Sequence, residues 1–301
     1  MLERVHSLAA RHDMSPWRAL PYEMAVRAYR RHPAVRSVVR RFLGSRRPSE
    51  WCFVTGCYNA GTTVVKNIVA LHPRIHTLPV EGDLLTSALS NNEEGGWARC
   101  MYGNRDRLER ERRAGAALDA ERMLQDWSPW MLDGAPFLDK SISHAVRIRR
   151  LADAFPDARF VLVTRGPEAV VRGIRQRSRP SGSAREALRR DTYSDDLLHA
   201  QWNWLYRRAL EELPPERGLV VSYERAMSDP IGQAVRLYSF LGLEGASPSL
   251  QGDHLVLGND SLKLRRGGTN NASPLDSREA LSRAIERHAA LWPASADSRH
   301  G

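Results

Sequence analysis

A glycine-bracketed loop carries the clearest chemistry in this 301-residue chain. It reads Thr-Gly-Cys-Tyr-Asn-Ala-Gly-Thr-Thr over residues 55–63, after the apolar run Trp51-Cys-Phe-Val and before a predicted helix over 64–71. Backbone N–H groups at a helix N-terminus, together with the positive end of the helix dipole, favour a phosphate-like anion. The loop therefore predicts an anion site, to which the hydroxyls of Thr62 and Thr63 add hydrogen-bond donors.

The two loop glycines have the spacing of an ATP-binding P-loop, but the residue after them differs. Four residues separate Gly56 from Gly61, and Thr62 occupies the position that the P-loop motif gives to lysine. The sequence contains no acidic pair placed to hold Mg²⁺ and no His-Glu-x2-His zinc motif. We expect a phosphate-like ligand other than the β,γ-phosphates of ATP, bound without a metal.

A second candidate is an arginine that ends an apolar strand. The predicted strand is Arg159-Phe-Val-Leu-Val, Arg165 follows it, and Pro167 begins a predicted helix. Ligands of parallel α/β sheets bind beyond the carboxyl ends of the strands, where Arg165 and the glycine loop would meet. The pattern predicts a fixed cation beside the anion site.

Arginine carries almost all of the positive charge. Of 45 Lys plus Arg residues only Lys66, Lys140 and Lys263 are lysine, so each indicates a position that needs a compact ammonium donor. The formal net charge is +10, but the basic residues are scattered and few aromatics lie among them, which argues against a nucleic-acid partner. The densest basic cluster, residues 27–47, is interpreted as a solvated arginine face of an N-terminal helical segment.

Length and composition are those of one large α/β domain. No apolar stretch approaches the roughly 20 residues that span a bilayer, and the first residues lack a signal-peptide core, so we expect a cytoplasmic protein without a transmembrane segment. The three cysteines, Cys52, Cys57 and Cys100, show neither disulfide nor zinc spacing. Cys57 is interpreted as a small loop residue and not as a nucleophile.

Short apolar strands alternate with helices. Strands are predicted over 51–54, 73–77, 137–140, 159–163 and 218–223, and helices over 64–71, 81–90, 143–155, 167–176, 194–213 and 230–242, with a mobile loop over 177–190. This order predicts an α/β fold, a P-loop-like three-layer sandwich whose central, mostly parallel sheet is flanked by helices. The predicted segments are an Arg-rich helical extension (1–48), the α/β domain (49–275), and a C-terminal helix and tail (276–301).

Four motifs in this order resemble the sulfotransferases that use 3′-phosphoadenosine 5′-phosphosulfate (PAPS), especially the bacterial and tyrosylprotein branch. They are the glycine loop with His72-Pro73 beyond it, Lys140 before a helix that ends Phe155-Pro-Asp-Ala-Arg-Phe, Val163-Thr-Arg-Gly-Pro, and Tyr223-Glu224 with Asp229-Pro230. The resemblance spans about residues 51–266. It implies that a sulfo group is transferred from PAPS to a hydroxyl or amine of an acceptor, such as a carbohydrate or another small molecule.

The resemblance also implies a role for each matching residue. The loop that holds the 5′-phosphosulfate consists of Asn59, Ala60, Gly61, Thr62 and Thr63. The other predicted cofactor contacts are Arg165 at the 3′-phosphate, Tyr223 in the nucleotide site, and Ser261 and Lys263 in a closing C-terminal loop. Lys140 is predicted to stabilise the leaving group. Glu81 is interpreted as the general base, with Asp83 and His76 as alternatives.

Two residues depart from the family pattern. Asn59 stands where most relatives carry Lys or Arg against the sulfonate, and Gly173 stands where a Ser usually joins the arginine at the 3′-phosphate. Arg172 or Arg175 is the hypothesised substitute for that Ser. A P-loop phosphotransferase or NTPase, and a non-catalytic PAPS- or nucleotide-binding protein, are the alternative functions.

Overall fold

A five-stranded parallel sheet forms the centre of the computed structural model, which describes residues 16–42, 44–90, 92–115, 117–243, 245–264 and 275–291. Its strands are β1 (Trp51–Gly56), β2 (His76–Thr77), β3 (Phe137–Lys140), β4 (Arg159–Thr164) and β5 (Gly218–Ser222). The spatial order is β2-β3-β1-β4-β5, and every neighbouring pair is parallel. The predicted α/β class is confirmed, and each predicted strand is present.

Helices cover both faces of this sheet. They are α1 (Pro16–Arg31), α2 (Pro33–Phe42), α3 (Thr62–Val69), α4 (Arg105–Arg113), α5 (Ala120–Trp127), α6 (Ile148–Ala154), α7 (Pro167–Arg177), α8 (Gly182–Leu188), α9 (Asp195–Glu212), α10 (Tyr223–Ser228), α11 (Pro230–Phe240) and α12 (Arg278–Leu291). Phe53 belongs to one buried hydrophobic cluster and its neighbour Val54 to another, because successive strand residues face opposite sides. The two clusters confirm the three-layer sandwich. None of the described helices is long and apolar enough to cross a membrane.

The chain also contains a small antiparallel sheet that the sequence analysis did not predict. Its strands are β6 (Ser249–Gln251), β7 (His254–Leu257) and β8 (Asp260–Lys263). Two-residue turns join them, and Gly252 and Gly258 begin these turns with φ of +61° and +59°. Glycine followed by Asp or Asn between two short strands is a hairpin signal, so the sequence held the information.

The predicted helix over 81–90 is wrong. The segment contains only a 3-10 turn, Gly82–Leu84, and its backbone is bonded to other parts of the chain. The Gly82 N–H donates to the Asp139 carboxylate at 2.9 Å, and the Gly82 carbonyl accepts from the Trp127 indole at 3.0 Å. These tertiary hydrogen bonds satisfy the groups that a helix would otherwise pair internally.

The segment 177–190, predicted as a loop, contains α8. Its sequence, Gly-Ser-Ala-Arg-Glu-Ala-Leu, has good helix formers after the first two residues, and Ala184 is buried. The Arg, Ser and Gly residues on either side of this short helix are typical of a loop, so composition alone did not indicate the helix. The strand predicted over 73–77 is also shorter than expected, since only His76 and Thr77 pair with β3.

The N-terminal helices pack on the domain through α5. The Arg40 guanidinium pairs with the buried Asp126 carboxylate at 2.5 Å, and the Tyr29 hydroxyl donates to the Asp126 carbonyl at 2.7 Å. Arg36 is buried and donates to the carbonyls of Tyr29 and Arg30. The expected solvated arginine face is therefore wrong for Arg36 and Arg40. The division into three segments stays a prediction.

The helix α12 packs on α9 at the other side of the domain. His288 lies 2.8 Å from His199 between ring nitrogens and 5.0 Å from the Trp202 ring between centroids. Burial lowers the pKa of His288 to about 4, so its ring is neutral at neutral pH. Leu281 and Ile285 join the same hydrophobic cluster as Trp202, which makes α12 part of the core.

Replacing Asp126 by Asn tests how the N-terminal helices are attached. The Asp126 carboxylate also accepts from the Thr86 hydroxyl at 2.9 Å, so the substitution keeps the size of a buried side chain but leaves the Arg40 charge unpaired. We expect the free energy of unfolding in urea to fall by about 1–3 kcal/mol. Asp106→Asn is the control, because that side chain is 76% exposed and its ion pair with Arg105 contributes little. Equal effects of the two substitutions would contradict the assignment.

Candidate active site

A cleft of about 740 Å³ opens beyond the carboxyl ends of β1, β3 and β4. The predicted site residues that line it are Asn59, Gly61, Thr62, Thr63, Glu81, Lys140, Arg165 and Tyr223, and the alternative base Asp83 lines it too. Ala60, within the loop, is fully buried. His76 in β2, and Ser261 and Lys263 in β8, are not among the lining residues. The structure thus brings together residues spread over more than half of the sequence.

The glycine loop turns directly into α3. Gly61 has φ of +92°, and a Cβ there would lie 2.3 Å from a ring carbon of Tyr223, so only glycine fits. The Gly61 carbonyl accepts from the N–H groups of Val64 and Val65. The Ala60 N–H donates to the Cys57 carbonyl at 3.1 Å. The N–H groups of Thr62 and Thr63, in the first turn of α3, have no partner within the helix, as at any helix N-terminus, and are available to an anion in the cleft.

Arg165 is fixed between the loop and Tyr223. Its guanidinium donates to the Asn59 carbonyl at 3.0 Å and lies 4.2 Å from the centre of the Tyr223 ring, a cation–π distance. The Trp202 indole donates to the Arg165 carbonyl at 2.9 Å, and the Glu224 carboxylate accepts from the next N–H at 3.1 Å. Several neighbouring groups thus fix the arginine that was predicted at the strand end, and it lines the cleft.

The two predicted catalytic residues form an ion pair. The Lys140 ammonium at the end of β3 donates directly to the Glu81 carboxylate, and the two side chains are 13% and 27% exposed. The bond from the Gly82 N–H to Asp139 ties the turn that carries Glu81 to the strand that carries Lys140. A carboxylate and an ammonium group therefore lie side by side at one point of the cleft.

Asp139 is a supporting residue that the sequence analysis missed. Its fully buried carboxylate lies 2.6 Å from the His144 ring nitrogen Nε2 and accepts from the Ser141 hydroxyl at 3.1 Å. A charged residue inside an otherwise apolar strand requires buried partners, and this is the signal that could have identified it. The network holds the backbone on either side of Lys140.

The Asn59 side chain accepts hydrogen bonds from two arginines. The residue has φ of +61°, and its side-chain oxygen accepts from Arg99 at 3.2 Å and from Arg177 at 3.1 Å. Both arginines line the cleft, and no motif predicted them. Arg177 follows Gly173 by one helical turn, a spacing that could have drawn attention to it. Arg99 lies in a segment without periodicity and gave no signal.

The hypothesised substitutes Arg172 and Arg175 line a neighbouring pocket and not this cleft. The Arg175 guanidinium pairs with the Asp195 carboxylate at 2.9 Å.

Cys57 is fully buried, and burial raises the pKa of its thiol, in agreement with a small loop residue. Within the described ranges, no group of three or more His, Cys, Asp or Glu side chains could hold a metal ion.

Asp83 differs from Glu81 in its surroundings. Its carboxylate oxygen Oδ1 is buried and has no hydrogen-bond partner among the described residues. Burial raises the pKa of Asp83 above its ordinary value, and the nearby Glu81 charge adds to that rise. The Ser143 hydroxyl opposes that rise in pKa. A carboxyl with a raised pKa and one unpartnered oxygen has the properties of a proton acceptor.

The sulfotransferase family matches this chain over residues 52–247, more than half of its length. Two curated relatives are omega-hydroxy-beta-dihydromenaquinone-9 sulfotransferases of Mycobacterium bovis and Mycobacterium tuberculosis, each 31% identical over 109 residues. That match covers 35% of this chain and 28% of each relative, so the chain matches under a third of their length.

Solved structures of sulfotransferases are similar to the chain at lower identity. The sulfotransferase of Alicyclobacillus acidocaldarius is 19% identical, covering 66% of this chain and 82% of its own, with a TM-score of 0.43. Sulfotransferase STF9 of Mycobacterium avium is 16% identical, covering 90% of this chain and 76% of its own, also with a TM-score of 0.43.

Asp83→Asn tests the environment of this carboxylate. A carboxyl whose pKa is raised on folding contributes stability below its unfolded value of 3.8 and loses that contribution as the pH rises through the folded pKa. At about pH 7 the ionised group therefore costs stability, and Asp83→Asn should raise the melting temperature. The gain should shrink as the pH falls toward 3.8. Differential scanning fluorimetry across this range measures it. The exposed Asp157→Asn control should have no effect, and a lower melting temperature for Asp83→Asn at neutral pH would refute the interpretation.

Proposed function

We propose that this chain, which belongs to the sulfotransferase family, transfers a sulfo group from PAPS to a hydroxyl or amine of a small-molecule acceptor. One observation carries the proposal. The anion loop after β1, Lys140 at the end of β3 and Arg165 after β4 converge on a single cleft. The parallel strands bring these groups to one edge of the sheet, and the donors that they place around one cleft fit a single ligand with several anionic groups.

The cleft residues fit the donor by their hydrogen-bonding chemistry. The loop residues Asn59, Ala60, Gly61, Thr62 and Thr63 would hold the 5′-phosphosulfate, and Arg165 with Tyr223 would hold the 3′-phosphate end. The Asn59 amide nitrogen is buried and has no acceptor among the described residues, so an anionic oxygen would satisfy it. Contacts from Ser261 and Lys263 stay a prediction, because both residues lie in β8 and do not line the cleft.

The paired side chains suit the chemistry of the transfer. When bound, PAPS supplies a sulfur atom whose bond to the nucleotide oxygen breaks as the acceptor oxygen or nitrogen bonds to it. Glu81 would take the proton of the acceptor, and the Lys140 ammonium would stabilise the negative charge on the departing oxygen. Because the attacking and departing oxygens lie on opposite sides of sulfur, the contact between Glu81 and Lys140 would open when donor and acceptor bind.

Asp83 is the alternative base, favoured by its unpartnered carboxylate oxygen.

The acceptor class is supported by the mycobacterial relatives, whose names describe hydroxylated dihydromenaquinone as their substrate. A non-catalytic PAPS-binding protein is the second candidate function, favoured by the absence of a cation at Asn59. A P-loop phosphotransferase is disfavoured by Thr62. A cytoplasmic location and the absence of a nucleic-acid partner stay predictions.

Calorimetry with two nucleotides tests the donor. We expect 3′,5′-bisphosphoadenosine, the product nucleotide, to bind in the micromolar range without metal, and ATP with Mg²⁺ to bind more weakly. Arg165 accounts for the difference, because it meets a 3′-phosphate that ATP lacks. Arg165→Gln should therefore weaken the bisphosphate about tenfold or more and leave the weak ATP signal unchanged. A preference for magnesium-ATP would sink the proposal.

Single substitutions test the catalytic roles. With ³⁵S-labelled PAPS and a panel of hydroxyl-bearing small molecules, Lys140→Ala should lower the rate of transfer about 100-fold or more, because the leaving oxygen loses its cation. Glu81→Gln should also lower it about 100-fold. Lys66→Ala removes a lysine that does not line the cleft and serves as the control. If Asp83→Asn abolished transfer while Glu81→Gln did not, the base would be Asp83.

A further inference from the structure

Arg99 and Arg177 approach the same atom from different parts of the fold. Arg177 is the last residue of α7, and Arg99 lies just before the 3-10 turn Met101–Asn104. Both donate to the Asn59 side-chain oxygen, at 3.1 and 3.2 Å. All three residues line the cleft that the glycine loop lines.

The backbone of Arg99 is held in an unusual conformation. Its φ is +57°, a region that costs a non-glycine residue about 1–3 kcal/mol when occupied. Its N–H donates to the Glu93 carboxylate at 3.0 Å, and its carbonyl accepts from the Gln201 amide at 3.1 Å. Surrounding groups thus fix a strained residue, which is a feature of positions that present a side chain to a ligand.

The cluster has donors without acceptors. A guanidinium only donates hydrogen bonds, so the oxygen of the Asn59 amide must face Arg99 and Arg177, and its NH₂ group must face away from them. That nitrogen is buried and unpartnered within the part of the chain that the structure describes. Within the same ranges, no carboxylate pairs with either guanidinium at salt-bridge distance. Two cations and an unpaired amide donor together fit an oxyanion.

Gly173 provides the space for this arrangement. A Cβ at that position would lie 2.9 Å from the Asn59 Cβ and 3.3 Å from the Arg177 guanidinium. A serine there would push Asn59 out of its place between the arginines. The two departures from the family pattern, Asn59 and Gly173, are therefore one coupled change.

We propose that Arg99 and Arg177, oriented by Asn59, bind the sulfonate of the donor in place of the loop cation that most relatives carry at position 59. The inference rests on the proposed function. In the transfer, the acceptor bonds to sulfur, the bond from sulfur to the nucleotide oxygen breaks, and the acceptor proton passes to the base. The sulfonate oxygens stay anionic throughout, and the two guanidiniums hold them while Lys140 faces the departing oxygen.

The test compares two ligands that differ at the sulfonate. Calorimetry is run with PAPS and with 3′,5′-bisphosphoadenosine on the wild type, Arg99→Gln, Arg177→Gln and the double variant. We expect each single change to weaken PAPS about tenfold and the double change about 100-fold, with less than about threefold for the bisphosphate. Arg207→Gln is the matched control, because it removes an exposed arginine of α9 that does not line the cleft.

Restoring PAPS affinity with a new cation gives a second measurement. A purely structural role of the two arginines would not predict that restoration. Introducing Asn59→Lys into the double variant places a cation back in the loop, and we expect at least about tenfold of the PAPS affinity to return. Arg177 is exposed, so Arg177→Gln decides the question even if Arg99→Gln fails to fold.

The outcomes separate the two proposals. A wild-type chain that binds neither nucleotide would overturn the proposed function and this inference with it. A wild type that binds both, with variants that bind PAPS equally well, would overturn the inference alone. Equal weakening of both ligands would also overturn it, since the arginines would then contact the 3′-phosphate or the nucleoside.

Discussion

The parallel pairing of β1 with β3 on one side and β4 on the other determines where every group of the site lies. Val54 is opposite Lys140, and Gly56 is opposite Val163, so the three strands end at one edge. A different group follows each strand at that edge: the loop amides after β1, the ammonium of Lys140 at the end of β3, and the guanidinium of Arg165 after β4. A register shift of one residue in β3 would turn Lys140 to the opposite face of the sheet.

The long helix α9 stabilises this edge from behind. Its Tyr206 hydroxyl donates to the Val163 carbonyl at 2.9 Å and accepts from the Cys57 N–H at 3.4 Å, while Trp202 donates to the carbonyl of Arg165. These backbone groups lie at the carboxyl ends of β1 and β4. Buried side chains of one helix bond to them there, so the loops leave the sheet in fixed directions.

Much of this edge could be predicted from the sequence because its signals are local. The apolar runs before Gly56 and Arg165 predict two of the strands and the position of the cation. The helix predicted over 230–242 corresponds to α11. The rest depends on contacts between distant residues. The helix predicted over 81–90 is replaced by tertiary bonds of Gly82, and the contact of Arg99 with Asn59 spans 40 positions without any periodic pattern.

The packing of α12 on α9 has a consequence for the order in which the protein matures. Domains fold as units while the ribosome releases the chain from its N-terminus. The glycine loop, Lys140 and Arg165 have all emerged before α12 is made, yet the Trp202 ring of α9 lacks its contact with His288 until α12 is made. The anion site thus gains its last supporting helix only when α12 is synthesised. Until then, a nascent chain would expose its arginines and apolar core surfaces to chaperones.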